Sequence, residues 1–114
     1  EGDLCAEFLS GAAWLVRMEA VRATGGFDPN ILLYYEDDDL CLRMQMKGYG
    51  CVLTPEARAV HLVGKSSAPN PAVDRFKQIS LQWSRLYMEQ KNHGTPSAEA
   101  LARRLERKFR AQKT

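Results

Sequence analysis

Four consecutive acids, Glu36-Asp37-Asp38-Asp39, hold the densest chemistry in this sequence. Adjacent carboxylates repel one another, and a fold tolerates that best when something positive is brought to them. Part of the cluster has an ordinary explanation. Acids in the first turn of a helix gain roughly 0.3 to 1 kcal/mol each from its dipole. Asp39 also stands four residues before Arg43, the favourable order for a helical ion pair. Neither explains why an amphipathic aromatic pair, Tyr34-Tyr35, leads straight into Glu36 and Asp37. A calcium loop is excluded. Counted from Asp37, the places where an EF-hand needs glycine and glutamate hold Leu42 and Gly48. Asp37-Asp38-Asp39 also spells the Asp-x-Asp that can hold a metal and a diphosphate, but three letters opening a helix are weakly specific.

A second group lies downstream. On an expected strand over residues 59–63, His61 faces away from Val60 and Leu62, a placement that fits a hydrogen-bonded structural residue or a ligand. Gly64, Lys65 and Ser66 follow, and backbone N–H groups, an ammonium and a hydroxyl together suit a phosphate. Phe76, Trp83 and Tyr87 read as core of an amphipathic helix before they read as a sugar-stacking platform. The bases between Arg103 and Lys113 read as a solvated face, with contact to anionic lipid as the competing reading. Lys and Arg total 16 against 14 acids, a net +2, so the balance favours no polyanionic partner, and no nucleic-acid motif is present. Cys5, Cys41 and Cys51 form no CxxC pair and read as small apolar residues in a reducing compartment, so a cytoplasmic location is expected. No apolar run approaches the roughly 20 residues of a membrane span.

The elements that must position these groups follow from periodicity and punctuation. Residues 8–16 read as a strand or buried extended segment whose Gly11, Ala12 and Ala13 let something approach the backbone closely. Helix formers from Met18 to Thr24 stop at Gly25-Gly26. Asp28-Pro29-Asn30 is a turn. A helix from about Asp37 to Lys47 buries Leu40, Cys41 and Met44, with Leu42 and Met46 as a partial second stripe, and Gly48 ends it. Short strands are expected at 51–53 and 59–63, a helix from Val73 to about Lys91 with Phe76, Ile79, Trp83, Leu86 and Tyr87 inward, and a last helix capped by Ser97.

Taken in order, Ser10-Gly11-Ala12-Ala13-Trp14-Leu15-Val16-Arg17, Gly25-Gly26-Phe27-Asp28, Tyr35 to Arg43, Gly48-Tyr49-Gly50, Val60-His61 and Gly64-Lys65-Ser66 strongly resemble the C-terminal half of the family-two, rhamnosyltransferase-like glycosyltransferases. The likeness is close over residues 7–67 and looser through Ser84-Arg85 and Lys91 to Gly94. It implies an α/β fold class, the acceptor-side portion of a GT-A domain, in which a few short strands pack with helices. The expected divisions are residues 1–71 as that portion, 72–94 as an amphipathic helix packed on it, and 95–114 as a basic C-terminal helix.

The resemblance also implies inverting transfer of a sugar from a nucleotide-diphosphate donor to an acceptor hydroxyl, in cell-surface polysaccharide or glycolipid synthesis. By that match Asp37 is the general base and Glu36 its orienting or acceptor-binding neighbour. His61 is a ligand to Mg²⁺ or Mn²⁺, Lys65 and Ser66 close over the diphosphate, and Trp14, Tyr34 and Tyr35 wall the acceptor site. The family's nucleotide-binding half is not among these residues, and the chain opens on Glu1 rather than methionine. The expectation is a fragment without transferase activity, peripheral to the cytoplasmic face of a membrane through its basic tail, and prone to homodimerise through a cut sheet edge. The alternative is a non-catalytic binding module on the same scaffold.

Overall fold

The computed structural model describes residues 2–63 and 68–111. Its elements, in chain order, are β1 (Leu4–Ala6), α1 (Met18–Thr24), α2 (Glu36–Met46), β2 (Cys51–Leu53), α3 (Pro71–His93) and α4 (Thr95–Ala111). It is a mixed α/β arrangement, mostly helical, with one two-stranded antiparallel sheet in which Leu4 pairs with Leu53 and Ala6 with Cys51.

Glycines set the helix ends where the sequence placed them. Gly25 and Gly26 both have positive φ, and the Gly26 N–H returns to the Val21 carbonyl at 3.0 Å while Gly25 donates to Arg22. The same paired closure ends α2, where Tyr49 donates to Met44 and Gly48 to Gln45. Both are Schellman closures, which satisfy carbonyls the helix leaves open. α3 starts on Asn70, whose side chain accepts the Ala72 N–H at 2.9 Å, with Pro71 in the first turn, as the fixed φ of proline favours.

Several expectations fail. Residues 59–63 form no strand and lie exposed, so His61 has no strand face to occupy. Residues 8–16 form none either. Between Glu7 and Gly11 the chain instead runs along α2, where the Glu7 carbonyl accepts from the Gln45 amide, the Leu9 carbonyl from the Cys41 thiol at 3.9 Å, and the Gly11 N–H donates to Asp37 at 2.9 Å. Alternate residues of a near-extended chain, about 6.6 Å apart, meet every fourth residue of a helix, about 6 Å apart. The backbone groups that a neighbouring strand would have taken are used there. Finally, Phe76, Ile79 and Trp83 of α3 are exposed, and the buried positions are Ser80 and Ser84. α3 turns a small, polar face inward because Ser84, with no exposed surface, donates to the Leu33 carbonyl at 2.8 Å. Leu42 and Met46 of α2 are likewise exposed. α4 opens two residues before Ser97, whose hydroxyl donates to Glu89 and caps nothing.

One charged cluster ties α2 and α3 to the turn after α1. Asp39, 1% exposed, takes Arg43 on one carboxylate oxygen at 2.7 Å and Lys91 on the other at 2.6 Å. Lys91 also reaches Asp28 at 2.7 Å, and the Tyr87 hydroxyl donates to the same carboxylate at 2.9 Å. Two anions face two cations, so the group is neutral. The Lys91 ammonium holds Asp28 well below the usual carboxylate range, against the opposing effect of its burial. Burial pulls the Lys91 ammonium down, but its bonds to Asp28 and Asp39 outweigh that and push it up.

Surface is abundant. A globular chain of this length exposes roughly 6,300 Å², whereas this one exposes 9220 Å². Its radius of gyration is 16.8 Å, against roughly 13 Å for a compact chain. Leu15, Val60, Val63 and Met46 stand largely in solvent. Such proportions are compatible with a stretch of a larger domain.

Lys91→Met leaves Asp39 and Asp28 short of a cation and is expected to cost about 3 kcal/mol in urea unfolding. Arg103→Gln, which removes only the exposed pair with Glu99, is expected to leave the midpoint unchanged. The pH dependence has two limbs. Asp28, depressed in the fold, contributes fully above its ordinary value of 3.8 and progressively less as pH falls below it. Lys91, raised in the fold, contributes fully below 10.5 and progressively less as pH climbs past it. Thermal melts of wild type and Lys91→Met across pH should therefore converge at both extremes.

Candidate functional site

The acids of α2 divide by environment. Asp39 points inward and is consumed by Arg43 and Lys91. Asp37 lies half-buried at the opposite side of the first turn, and its two oxygens each accept one backbone N–H, from Gly11 at 2.9 Å and from Asp38 at 3.1 Å. Two fixed donors orient the carboxylate and leave lone pairs on both oxygens. The close approach expected at the small residues is this one, since a Cβ on Gly11 would sit 3.4 Å from the Asp37 Cβ. Asp38, between these neighbours, has its carboxyl pushed up by burial first and then by the charges of Asp37 and Glu36. Glu36 carries a buried Oε2 that has no hydrogen-bond partner among the described residues, and the Trp14 indole N–H is in the same condition. Trp14 stacks on Phe27 with ring centroids 6.3 Å apart and 9° between planes.

Tyr34 and Tyr35 approach this turn in an uncommon conformation. Both lie in the left-handed region, with φ of 66° and 68°, which costs an L-residue roughly 1 to 2 kcal/mol. The Ser84 bond to Leu33 holds the carbonyl just before them, so α3 fixes the start of the strained pair. Strain of this kind persists where surrounding structure over-determines it, and it concentrates at functional sites.

Of the residues expected at the site, Glu36, Asp37, Tyr34 and Tyr35 are adjacent in one turn, and the loop holding Trp14 is tied to that turn through Gly11. His61 lies in the exposed segment after β2 and bonds none of the acids. Lys65 and Ser66 fall outside the described residues. Among the described residues no three His, Cys, Asp or Glu side chains come together as a metal site, and no helix is long and apolar enough to cross a membrane. Burial pushes the Cys41 thiol up to about 11, so it remains a neutral, small core residue. Sequence reasoning missed Gly11 as the partner of Asp37, because 26 residues separate them. It also missed Lys91, which looked like one base among many.

Comparison with known proteins finds short stretches of likeness. The chain is 38% identical over 65 residues to the N-acetylglucosaminyl-diphospho-decaprenol L-rhamnosyltransferase of Mycobacterium tuberculosis, covering 57% of this chain and 21% of that protein. It is 34% identical over 59 residues to rhamnosyltransferase WbbL of Escherichia coli, covering 52% of this chain and 22% of that protein. The matched stretch thus spans about a fifth of either relative, 21% and 22%. No protein-family model and no solved structure matches. The two relatives support a family relation to glycosyltransferases.

Two measurements test this site. Asp38 is raised in the fold, so its ionisation opposes folding: stability declines as pH rises from the ordinary value of 3.8 to the folded one and stays reduced above it. Asp38→Asn should therefore melt higher than wild type at neutral pH, with the advantage gone at pH values below 3.8. At Tyr34 the usual order of small residues should invert. Tyr34→Gly is expected to be more stable than Tyr34→Ala by about 1 kcal/mol, because only glycine escapes the left-handed penalty. The opposite order in chemical denaturation would show the turn to be unstrained.

Proposed function

We propose that this stretch is the acceptor side of an inverting nucleotide-sugar glycosyltransferase of GT-A type, acting in cell-surface polysaccharide or glycolipid synthesis. The observation that carries it is Asp37, a half-buried carboxylate oriented by two backbone N–H groups and preceded by Glu36, whose buried Oε2 has no partner among the described residues. The rhamnosyltransferase names of the partial relatives support the same reading.

In this reading the acceptor hydroxyl lies against Asp37. Its oxygen attacks the anomeric carbon from the face opposite the nucleoside diphosphate, the bond to the leaving phosphate oxygen breaks, and the hydroxyl proton passes to Asp37, so the anomeric configuration inverts. The Gly11 and Asp38 N–H groups keep the carboxylate aimed while the proton transfers. Glu36 and Trp14 are assigned to the acceptor sugar by sequence likeness, and the held Tyr34-Tyr35 turn walls the site. Asp39 is a positioning residue, since it acts only by anchoring the helix that carries Asp37.

His61 is assigned as one ligand to Mg²⁺ or Mn²⁺, which would neutralise charge on the departing diphosphate. The described residues do not complete such a site, so its remaining ligands belong to the nucleotide-binding part of the transferase, and no step above is routed through the metal. Lys65 and Ser66 are assigned to the diphosphate by sequence likeness. By itself the stretch is inactive, because the groups that read base and donor sugar lie elsewhere in such enzymes. The exposed β1–β2 pair is where the stretch on its own would homodimerise. The enzyme works at the cytoplasmic face of a membrane, with the bases of α4 toward the lipid.

In the intact transferase, Asp37→Asn should lower turnover by about 10²- to 10⁴-fold, with the Michaelis constants little changed. Retention within about tenfold would refute the base assignment, since a general base contributes at least that much. His61→Ala should raise the concentration of Mn²⁺ needed for half-maximal turnover. An unchanged metal requirement would remove His61 from the ligand set.

A further inference from the structure

A groove between α3 and α4 carries a charge pattern that the Asp37 site does not use. α3 contributes Gln78, Gln82 and Arg85, which recur on one helical face, and α4 contributes Arg104 and Lys108. Its floor is apolar, with Leu101 buried beneath. The volume is about 580 Å³, in the range of small-molecule sites. Three cations line it and no carboxylate does.

The contrast within α4 is informative. Arg103, one residue away, pairs with Glu99 at 3.5 Å. Among the described residues Arg85, Arg104 and Lys108 pair with nothing. Arg104 and Lys108 are also like charges at i, i+4, which disfavours the helix unless an anion lies between them. Gln78 and Gln82 add amide groups that can donate to an anion in the groove. Two guanidinium forks, one ammonium and amide donors over an apolar floor match a compact oxyanion carrying more than one charge.

We propose that this groove is a binding site for a diphosphate group, held by Arg85, Arg104 and Lys108. This site is separate from the Asp37 turn and does not depend on the transferase reading. The group could be presented free or at a lipid headgroup, and the experiment separates the two.

Inorganic pyrophosphate titrated into the full chain at 0.15 M salt should bind and shift the Arg85 and Arg104 side-chain resonances in NMR. The pair Arg85→Gln with Arg104→Gln should weaken it by about tenfold or more. The pair Arg103→Gln with Arg107→Gln, which removes the same charge outside the groove, should weaken it by about twofold or less. Equal weakening by both pairs would show only diffuse attraction to a basic helix and overturn the site, as would no binding at this salt. Lys108→Gln, at an exposed position, provides a third variant that does not depend on α3 folding unchanged. Vesicles of diacylglycerol pyrophosphate in phosphatidylcholine identify the source. Binding that pyrophosphate displaces and Arg85→Gln/Arg104→Gln abolishes assigns a headgroup, and pyrophosphate binding without vesicle binding assigns a soluble diphosphate. Vesicle binding indifferent to both pyrophosphate and the double variant, with no pyrophosphate shift in solution, refutes the proposal.

Discussion

Asp39 is the residue on which the arrangement turns. A carboxylate with 1% of its side chain exposed is costly to bury unless cations meet it, and the two that do come from different places. Arg43 comes from the next turn of its own helix and also donates to the Thr24 carbonyl at 2.8 Å, so it fastens α2 to the end of α1. Lys91 comes from α3 and carries Asp28, Tyr87 and Asn30 with it. With only a few buried apolar side chains, this neutral cluster substitutes for a larger core in setting how α1, α2 and α3 meet. The orientation of Asp37 follows, because it sits two residues back on the same helix.

The run of acids that opens α2 therefore serves several ends. Asp39 is structural and Asp37 is oriented toward the loop at Gly11. Glu36 keeps an oxygen unspent, and the Asp38 carboxyl is pushed up by burial and then by its neighbours' charges.

Much of this was legible in the residues. Gly25-Gly26 and Gly48 announced helix ends because only glycine enters the left-handed region cheaply, and Cys51–Leu53 read as a strand because its flanks punctuate it. The i, i+4 relation of Asp39 and Arg43 was visible from spacing. Apart from Tyr87, the inward face of α3 was not, because it carries the Ser80 and Ser84 hydroxyls and the partly exposed Lys91 ammonium while Phe76, Ile79 and Trp83 point outward, and periodicity arguments follow apolar residues. Residues 59–63 have strand composition and, among the described residues, no strand beside them to pair with. At the site, the types and order of Tyr34, Tyr35, Glu36 and Asp37 were enough to single them out. Their geometry rests on contacts to Gly11 and Ser84, distant in sequence and chemically plain.

The seam between residues 7–11 and α2 has a consequence for how such a stretch can vary. On the loop side every bond uses a main-chain group, so side chains at Phe8 and Ser10 can drift with little effect on the seam. Its length cannot. Inserting or deleting one residue between Glu7 and Gly11 would exchange odd for even positions and turn the Gly11 N–H away from Asp37. What is inherited there is a count, and related chains should differ in letters far more readily than in spacing.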